Sequence, residues 1–369
     1  MKLLFISHSY PPIKGGIENQ NYNLAKGLKK LVKVRVIANG HGKWFLPFFL
    51  PWAFLRASFE MLNKDVCLLG SGVLAPLGAW LKFLFPSKKV FCVIHGLDIT
   101  YGSQKGFLSK VYAKVNLPSL KKLNRLFAVG NATREEALKV GIAAEKIDFI
   151  PNGVTIEDLY EKHNRKELEK LTGFRDLEDK IVILRLGRFV PHKGTSWFIG
   201  NVMPKLAENI VMVAAGSRVG KSAGNKDDFL ACQSMVAQNN LYERVVLLPS
   251  ISREAVKILL NTVDIVVSPN IKVPGTMEGF GINVIEAAAC ERVVIASNIE
   301  GLKDAIKDGK NGFFAQAEDA DHWIKKIEAI AEAGPSFRKA FGQKARKFVE
   351  ENFSWDKICQ TYLEKMKAS

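Results

Sequence analysis

Glu278-Gly279-Phe280-Gly281-Ile282-Asn283-Val284-Ile285-Glu286, running on into Ala287-Ala288-Ala289, is the stretch on which the fold turns. Just upstream lies a short β-rich apolar run, Asp264–Ser268, then a loop holding Pro269, Pro274 and Gly275. Downstream the small residues enter a helix. Strand, glycine-bearing turn and helix in that order make half of a βαβ unit, the building block of parallel sheets. The backbone N–H groups of Gly279, Phe280, Gly281 and Ile282 would stand at the helix start, where amides bind phosphate or developing negative charge well. Glu278 precedes the helix, and Glu286 lies about one and a half turns in from its start. Ile285 and the alanine run on either side of Glu286 place it poorly for solvation. Two carboxylates so disposed can accept hydrogen bonds from two sets of vicinal hydroxyls, those of a sugar and those of a ribose.

Outward from this tract the same rhythm repeats. Continuous apolar runs at Ile181–Leu186, Ile210–Ala215, Val245–Leu248, Val293–Ala296 and Phe313–Ala315 alternate with amphipathic segments of helical length. An earlier series, Leu3–Ser7, Val34–Ala38, Val66–Leu69, Val90–Ile94, Leu126–Val129 and Ile147–Ile150, does likewise. Runs apolar on both faces are the signature of parallel strands covered by helices on either side. Two such series predict an α/β protein of two Rossmann-like, doubly wound parallel-sheet domains. The charged, glycine-containing stretch from Glu157 to Lys180 marks the connection, giving domains of about 1–155 and 156–354 with a last helix over 355–369 that starts after the capping residue Ser354.

Composition narrows the partners. The 369 residues are 47% hydrophobic and 24% charged, which excludes a largely disordered chain and suits two cores. A net charge of +16 favours phosphate-bearing partners: a diphosphate substrate, an anionic membrane surface or nucleic acid. The five cysteines are scattered, with no C-x-x-C pair, and several sit in apolar runs, as in a reducing cytoplasmic compartment. The apolar start, Lys2 to Ser7, is too short for a secretory signal, and no apolar run reaches the roughly 18 to 20 residues of a membrane span.

In open α/β sheets ligands bind beyond the carboxyl ends of the strands, so the residues after each run are the ones to weigh. Arg188 and Lys193 follow Ile181–Leu186 and sit five apart on one turn, in reach of a single diphosphate whose departure they would stabilise. Gly15 and Gly16 close the loop Ser9-Tyr10-Pro11-Pro12-Ile13-Lys14-Gly15-Gly16 ahead of a helix and let backbone approach a ligand closely.

The spacing E-G-F-G-x-x-x-x-E-A, with the G-R…K-G segment at Gly187-Arg188 and Lys193-Gly194, resembles the retaining glycosyltransferases of family 4, which have the GT-B fold of two domains facing a central cleft. The resemblance covers most of the chain. It implies a transfer of hexose, with retained anomeric configuration, from a UDP-, GDP- or ADP-linked sugar to a hydroxyl. By it Glu278 contacts the donor sugar, Glu286 the ribose, and Arg188 and Lys193 the diphosphate. His95, in His95-Gly96-Leu97-Asp98, would lie beside the donor sugar, and Gly15 and Gly16 near the diphosphate and acceptor. Gly216, Ser217 and Arg218 would lie near the base and phosphates. The first domain would bind the acceptor, and the last helix would pack back onto it. No metal and no cofactor other than the nucleotide sugar is implied.

Four other signals weigh differently. Ala215 to Ser222 fits a permissive P-loop, the basis of an alternative reading as an NTPase, but Ala223-Gly224-Asn225 delays the helix that a phosphate cradle needs. Nucleic-acid binding by charge alone is a second alternative, unsupported by any aromatic-and-basic or helix-turn-helix signature, so no nucleic acid is expected. Asp319-Ala320-Asp321 has D-x-D spacing but falls where a helix begins, where acids act as caps. Finally, Trp44-Phe45-Leu46-Pro47-Phe48-Phe49-Leu50-Pro51-Trp52-Ala53-Phe54-Leu55, flanked by Lys43 and Arg56, has the composition of an interfacial segment, though it could equally pack on the sheet. With the positive charge it points to a glycan or lipid-linked acceptor of the cell envelope, handled at the inner face of a membrane.

Overall fold

Most of the apolar runs become strands buried on both faces because their two alternating sets of side chains both pack against helices, while the edge strand over Lys33–Ala38 keeps Lys33 and Arg35 exposed. The computed structural model describes residues 1–13, 15–103, 106–218 and 227–369. Contacts divide the chain into two compact units: Met1–Gly153 with Gly275–Phe280 and Phe353–Ser369, and Val154–Pro274 with Gly281–Asn352. The 275–280 tract thus groups with the first unit, although it lies within the stretch that the sequence reading allots to 156–354.

The first unit contains β1 (Lys2–Ser7), α1 (Gly16–Leu31), β2 (Lys33–Ala38), α2 (Leu46–Met61), β3 (Val66–Leu69), α3 (Ala75–Leu84), β4 (Lys89–Ile94), α4 (Gly96–Thr100), α5 (Phe107–Lys122), β5 (Arg125–Ala128), α6 (Asn131–Lys139) and β6 (Ile147–Phe149). Its sheet is parallel in the order β2-β1-β3-β4-β5-β6. Period-two alternation sorts the core. Leu4, Ile6, Cys67, Leu69, Cys92, Ile94 and Leu126 face one way, onto α2 and α3, while Leu3, Phe5, Leu68, Phe91, Val93 and Phe127 face the other.

The second unit contains α7 (Arg165–Thr172), β7 (Ile181–Leu186), α8 (Thr195–Asn201), β8 (Ile210–Ala215), α9 (Phe229–Gln238), β9 (Val245–Leu248), α10 (Arg253–Thr262), β10 (Ile265–Ser268), α11 (Ile282–Ala289), β11 (Val293–Ser297), α12 (Leu302–Ala305), β12 (Phe313–Ala315) and α13 (Ala320–Glu332). Its parallel sheet runs β12-β11-β10-β7-β8-β9, which puts the reversal of winding between β7 and β10. In the first sheet the reversal falls between β1 and β3. Both sheets are therefore doubly wound, with different strand orders. The chain ends in α14 (Gly334–Phe353) and α15 (Trp355–Ala368).

Helix α15 completes the first core. Ile358, Cys359, Tyr362 and Met366 are buried in the same cluster as Leu3, Phe5 and α1 residues Leu24 and Leu28. The two helices approach closely at Gly27, where a Cβ would lie 2.4 Å from Cys359 Sγ. The Tyr362 ring meets Phe127 edge-on at 5.2 Å. Lys30 and Asp356 pair across the rim at 2.9 Å.

Candidate functional site

The turn after β7 is built around a buried cation. Arg185, inside the strand and 1% exposed, donates to the carbonyls of Gly187 at 2.5 Å and Arg188 at 2.9 Å. Its guanidinium lies 5.8 Å from the Phe189 ring centre. An arginine in a run otherwise apolar is tolerated because these carbonyls replace its hydration. The result is a fixed turn in which the Arg188 carbonyl is held while the residue itself stays exposed at the strand mouth. Sequence reading passed over Arg185, whose position inside the strand is what gives it this role.

Lys193 ends a short turn and precedes Gly194, whose φ of +65° lies in the left-handed region. A Cβ at Gly194 would stand 1.8 Å from the Pro269 carbonyl oxygen. The Ile271 N–H donates to the His192 carbonyl at 3.0 Å, so the turn carrying Lys193 is stitched to the loop after β10. Gly216 packs its backbone as tightly against the β7 turn, with a would-be Cβ 1.8 Å from Gly187 O. Ser217 and Arg218 are exposed. Arg218 is held by Asp227 through Nε at 2.9 Å and Nη2 at 2.6 Å, and lies over the Phe229 ring. Gly220, Lys221 and Ser222 of the P-loop pattern lie outside the described residues.

Helix α11 starts at Gly281, in the left-handed region with φ 91°, and no side chain caps it. Asn283, one residue into the helix, donates to the Leu186 carbonyl and to Ser268 Oγ, each at 3.3 Å. Ser268 Oγ in turn donates to Asn270 Oδ1 at 3.1 Å. These bonds tie the helix start to the ends of β7 and β10, the two strands that flank the reversal of winding. Asn283, Ser268 and Asn270 were absent from the sequence-derived site. The only signal for them was position, since polar residues at the strand ends of a switch point are candidates by topology. Glu286 follows on α11 between buried neighbours. Desolvation pushes its carboxyl up to about 7, against a smaller opposing pull from Arg253. The structure thus gathers Arg188, Lys193, Gly216, Ser217, Arg218, Ile282 and Glu286 at the carboxyl ends of β7, β8 and β10.

In the first unit the turn after β4 is equally constrained. Asp98 accepts from the His95 N–H and the Gly72 N–H, both at 2.9 Å. His95 is buried, and its Nε2 lies 3.2 Å from the Gly70 carbonyl. A carbonyl only accepts, so this bond puts the proton on Nε2. The 275–280 tract lies against this turn. Gly279 would bring a Cβ to 3.8 Å from Gly96 N and 3.6 Å from Val129 Cγ2, and Met277 covers Gly96. Phe280 is buried, with its ring 5.7 Å from that of Phe353. Glu278 is half-buried in the tract. The two glutamates of the motif therefore fall in different units, the boundary passing between Phe280 and Gly281.

Gly15 caps α1, and with Gly16 it is exposed; the Glu18 carboxylate folds back over Gly15 and accepts from Ser9 Oγ. Beside it His8, unremarked in the sequence, bonds Ser71 Oγ through Nδ1 at 2.6 Å. Burial lowers its pKa, which keeps the ring neutral, while Asp98 opposes the shift.

Helix α2, which takes up most of the apolar stretch between Lys43 and Arg56, shows both of the characters weighed for it, one on each face. Phe49, Ala53, Ala57 and Met61 are buried in the core. Phe48, Trp52, Leu55, Phe59 and Leu62 stand out on the other side, Phe48 66% and Leu55 77% exposed, with Trp44 preceding them at 71%. Neighbouring α3 adds exposed Trp80 and Phe83, and α5 adds Phe107, Leu108, Val111 and Val115. Among the described residues no helix is long and apolar enough to cross a membrane. Asp319, by contrast, accepts the His322 N–H at 3.0 Å and caps α13.

The family model for Glycosyl transferases group 1 matches residues 169–348, and that for Glycosyltransferase Family 4 matches residues 14–158. An uncharacterized glycosyltransferase of Methanocaldococcus jannaschii is 26% identical across 98% of this chain and 96% of its own length. The GPI3 subunit of phosphatidylinositol N-acetylglucosaminyltransferase from Saccharomyces cerevisiae is 24% identical, covering 85% of this chain and 71% of its own. Among solved structures, Anabaena HepE in complex with UDP and glucose has a TM-score of 0.78 at 19% identity, covering 100% of both chains.

Proposed function

The chain belongs to the family 4 glycosyltransferases of the GT-B fold, and from that premise we propose that it moves a hexose from a nucleoside-diphosphate sugar to an acceptor hydroxyl with retention of configuration. The observation that carries this reading is the arrangement at the β7–β10 switch point. There an uncapped helix start and the turn bearing Arg188 and Lys193 are joined through Asn283, with Glu286 behind them. Free amides and two cations suit a diphosphate, and a desolvated carboxyl suits a vicinal diol. Arg188 and Lys193 stabilise the leaving diphosphate, so neither a metal nor a cofactor beyond the co-substrate is required for transfer. Glu286 takes the ribose, and Glu278 and His95 take the donor sugar. Gly15, Gly16, Gly216, Ser217, Gly279, Phe280, Gly281 and Ile282 supply backbone contacts to the donor. Arg218 is shared with Asp227 and gives the donor less than a free arginine would.

The reading is tested by melting the protein with UDP-, GDP- and ADP-linked hexoses in turn. A ligand that binds only the folded state raises Tm. One nucleotide series is expected to do so for the wild type and to fail for Glu286→Ala; no shift with any donor would overturn the proposal.

The acceptor proposed is a lipid-linked or cell-envelope glycan met at an anionic membrane, on the cytoplasmic side. Support comes from the aromatic outer face of α2 with α3 and α5, and from Lys43, Lys110 and Lys114 exposed beside it. The yeast relative is a phosphatidylinositol glycosyltransferase subunit, which fits the same class of acceptor.

A further inference from the structure

Just past the boundary between the units, at the start of the second, the chain places one histidine among carboxylates. His163 Nε2 lies 4.0 Å from Glu161 Oε2 and 4.0 Å from Glu254 Oε1. The ligand atoms of this trio all fall within 4.8 Å of one another. The His163 side chain is only 6% exposed, yet its Nε2 has no hydrogen-bond partner among the described residues. A buried imidazole nitrogen without a partner is costly unless something occupies it.

The other ring nitrogen shows what kind of occupant is suited. Nδ1 faces Glu167 Oε2 at 3.3 Å, and that same oxygen accepts the Asn164 N–H at 2.8 Å. Asn164 and Glu167 form the reciprocal cap of α7, so the carboxylate is fixed by the helix start itself. A carboxylate on Nδ1–H sets the tautomer in which Nε2 carries a lone pair and faces outward to a metal. One carboxylate of the trio already holds a protein cation, Lys257 Nζ at 2.7 Å from Glu161 Oε2, and a metal would have to displace it.

We propose that Glu161, His163 and Glu254 form a binding site for a divalent transition ion of the zinc class, with Glu167 orienting the imidazole and water completing the coordination. One imidazole with two carboxylates suits such an ion; magnesium prefers an all-oxygen shell and keeps its water. Ligands of one tetrahedral ion at about 2.0 to 2.1 Å lie roughly 3.4 Å apart, so each glutamate must close on Nε2 from 4.0 Å, by about 0.6 Å, and the two must stand no farther apart than that from within their present 4.8 Å limit. Glu254 is 62% exposed at the side chain and has rotamer freedom to do so. Glu161 closes by giving up Lys257. The ion would tie the segment that follows Val154 to the first turn of α10; at the last turn of the same helix Asn261 already donates to the Leu159 carbonyl at 2.8 Å and accepts the Glu161 N–H at 3.2 Å.

The test is calorimetric titration of the chelator-treated full chain with zinc chloride, repeated with cobalt(II) to read its visible absorption. Wild type is expected to bind one ion per chain, with a cobalt spectrum of low coordination number. His163→Gln and Glu254→Gln should each weaken binding at least tenfold, while Lys257→Met, which removes the competing cation, should tighten it. His322→Gln, at a half-buried histidine on α13 whose Nδ1 accepts the Gln316 N–H, should leave zinc affinity unchanged. Glu254→Gln alters an exposed side chain and keeps the test valid if His163→Gln fails to fold. Equal affinity in wild type and Glu254→Gln, or no stoichiometric binding by wild type, would overturn the proposal. Because the readout is zinc binding without donor or acceptor, its failure is separable from failure of the transferase reading.

Discussion

At the residue scale the most informative group is Glu286. Burial raises its carboxyl from 4.5 to about 7, so the ligand-free folded chain holds that proton more tightly than the unfolded chain does. Its contribution to stability is full below the unfolded value and is lost as pH rises through about 7, on the order of 3 kcal/mol in all. Glu286→Gln should therefore flatten the fall in Tm between about pH 5 and pH 8 without donor. Diol hydroxyls donate to the ionised carboxylate, so donor affinity in wild type should rise across the same interval and the variant should lose that rise; a Glu286→Gln profile parallel to wild type in both titrations would refute the assignment. Lys193→Ala should act differently, lowering kcat by about 10²- to 10³-fold with little change in KM, because it faces charge that develops on leaving. Steady-state rates at saturating donor check this.

At the element scale the turns matter as much as the helices. Gly194→Ala must adopt a left-handed φ and also displaces the Pro269 carbonyl, so a loss of about 2 kcal/mol or more is expected in denaturant unfolding, with the Lys193 turn displaced. Helix α2 makes a second contrast. Trp52→Ser with Phe59→Ser should abolish flotation with anionic liposomes while leaving Tm within a degree or two, since both rings are exposed. Phe49→Ala, on the buried face, should instead cost about 3 to 5 kcal/mol of stability. Unchanged flotation of the double variant would sever α2 from any membrane role.

At the scale of the whole molecule, the +16 charge and the donor chemistry meet. Liposome association should weaken steeply as salt rises, because charges beyond about 8 to 10 Å are screened. Transfer assayed with a soluble acceptor should depend far less on salt. The anomeric configuration of the product, read by NMR before mutarotation, decides retention; an inverted product would remove that part of the proposal.

The sequence by itself determined the two parallel sheets, because strands covered on both faces leave continuous apolar runs that nothing else in a soluble chain requires. It also placed Arg188 and Lys193 on the turn after one strand, and Gly281 and Glu286 at the start of and within the helix after another, since what directly follows a strand is local information. Arg185, Asn283, Ser268 and His8 escaped it, each an ordinary residue until a distant strand end or carbonyl is brought within hydrogen-bond reach. Only the tertiary structure decided which face of α2 is buried, that Arg218 belongs with Asp227, and that Glu254 stands beside His163. Contacts between residues far apart in the chain are set by how the elements pack, and no local pattern of residues records them.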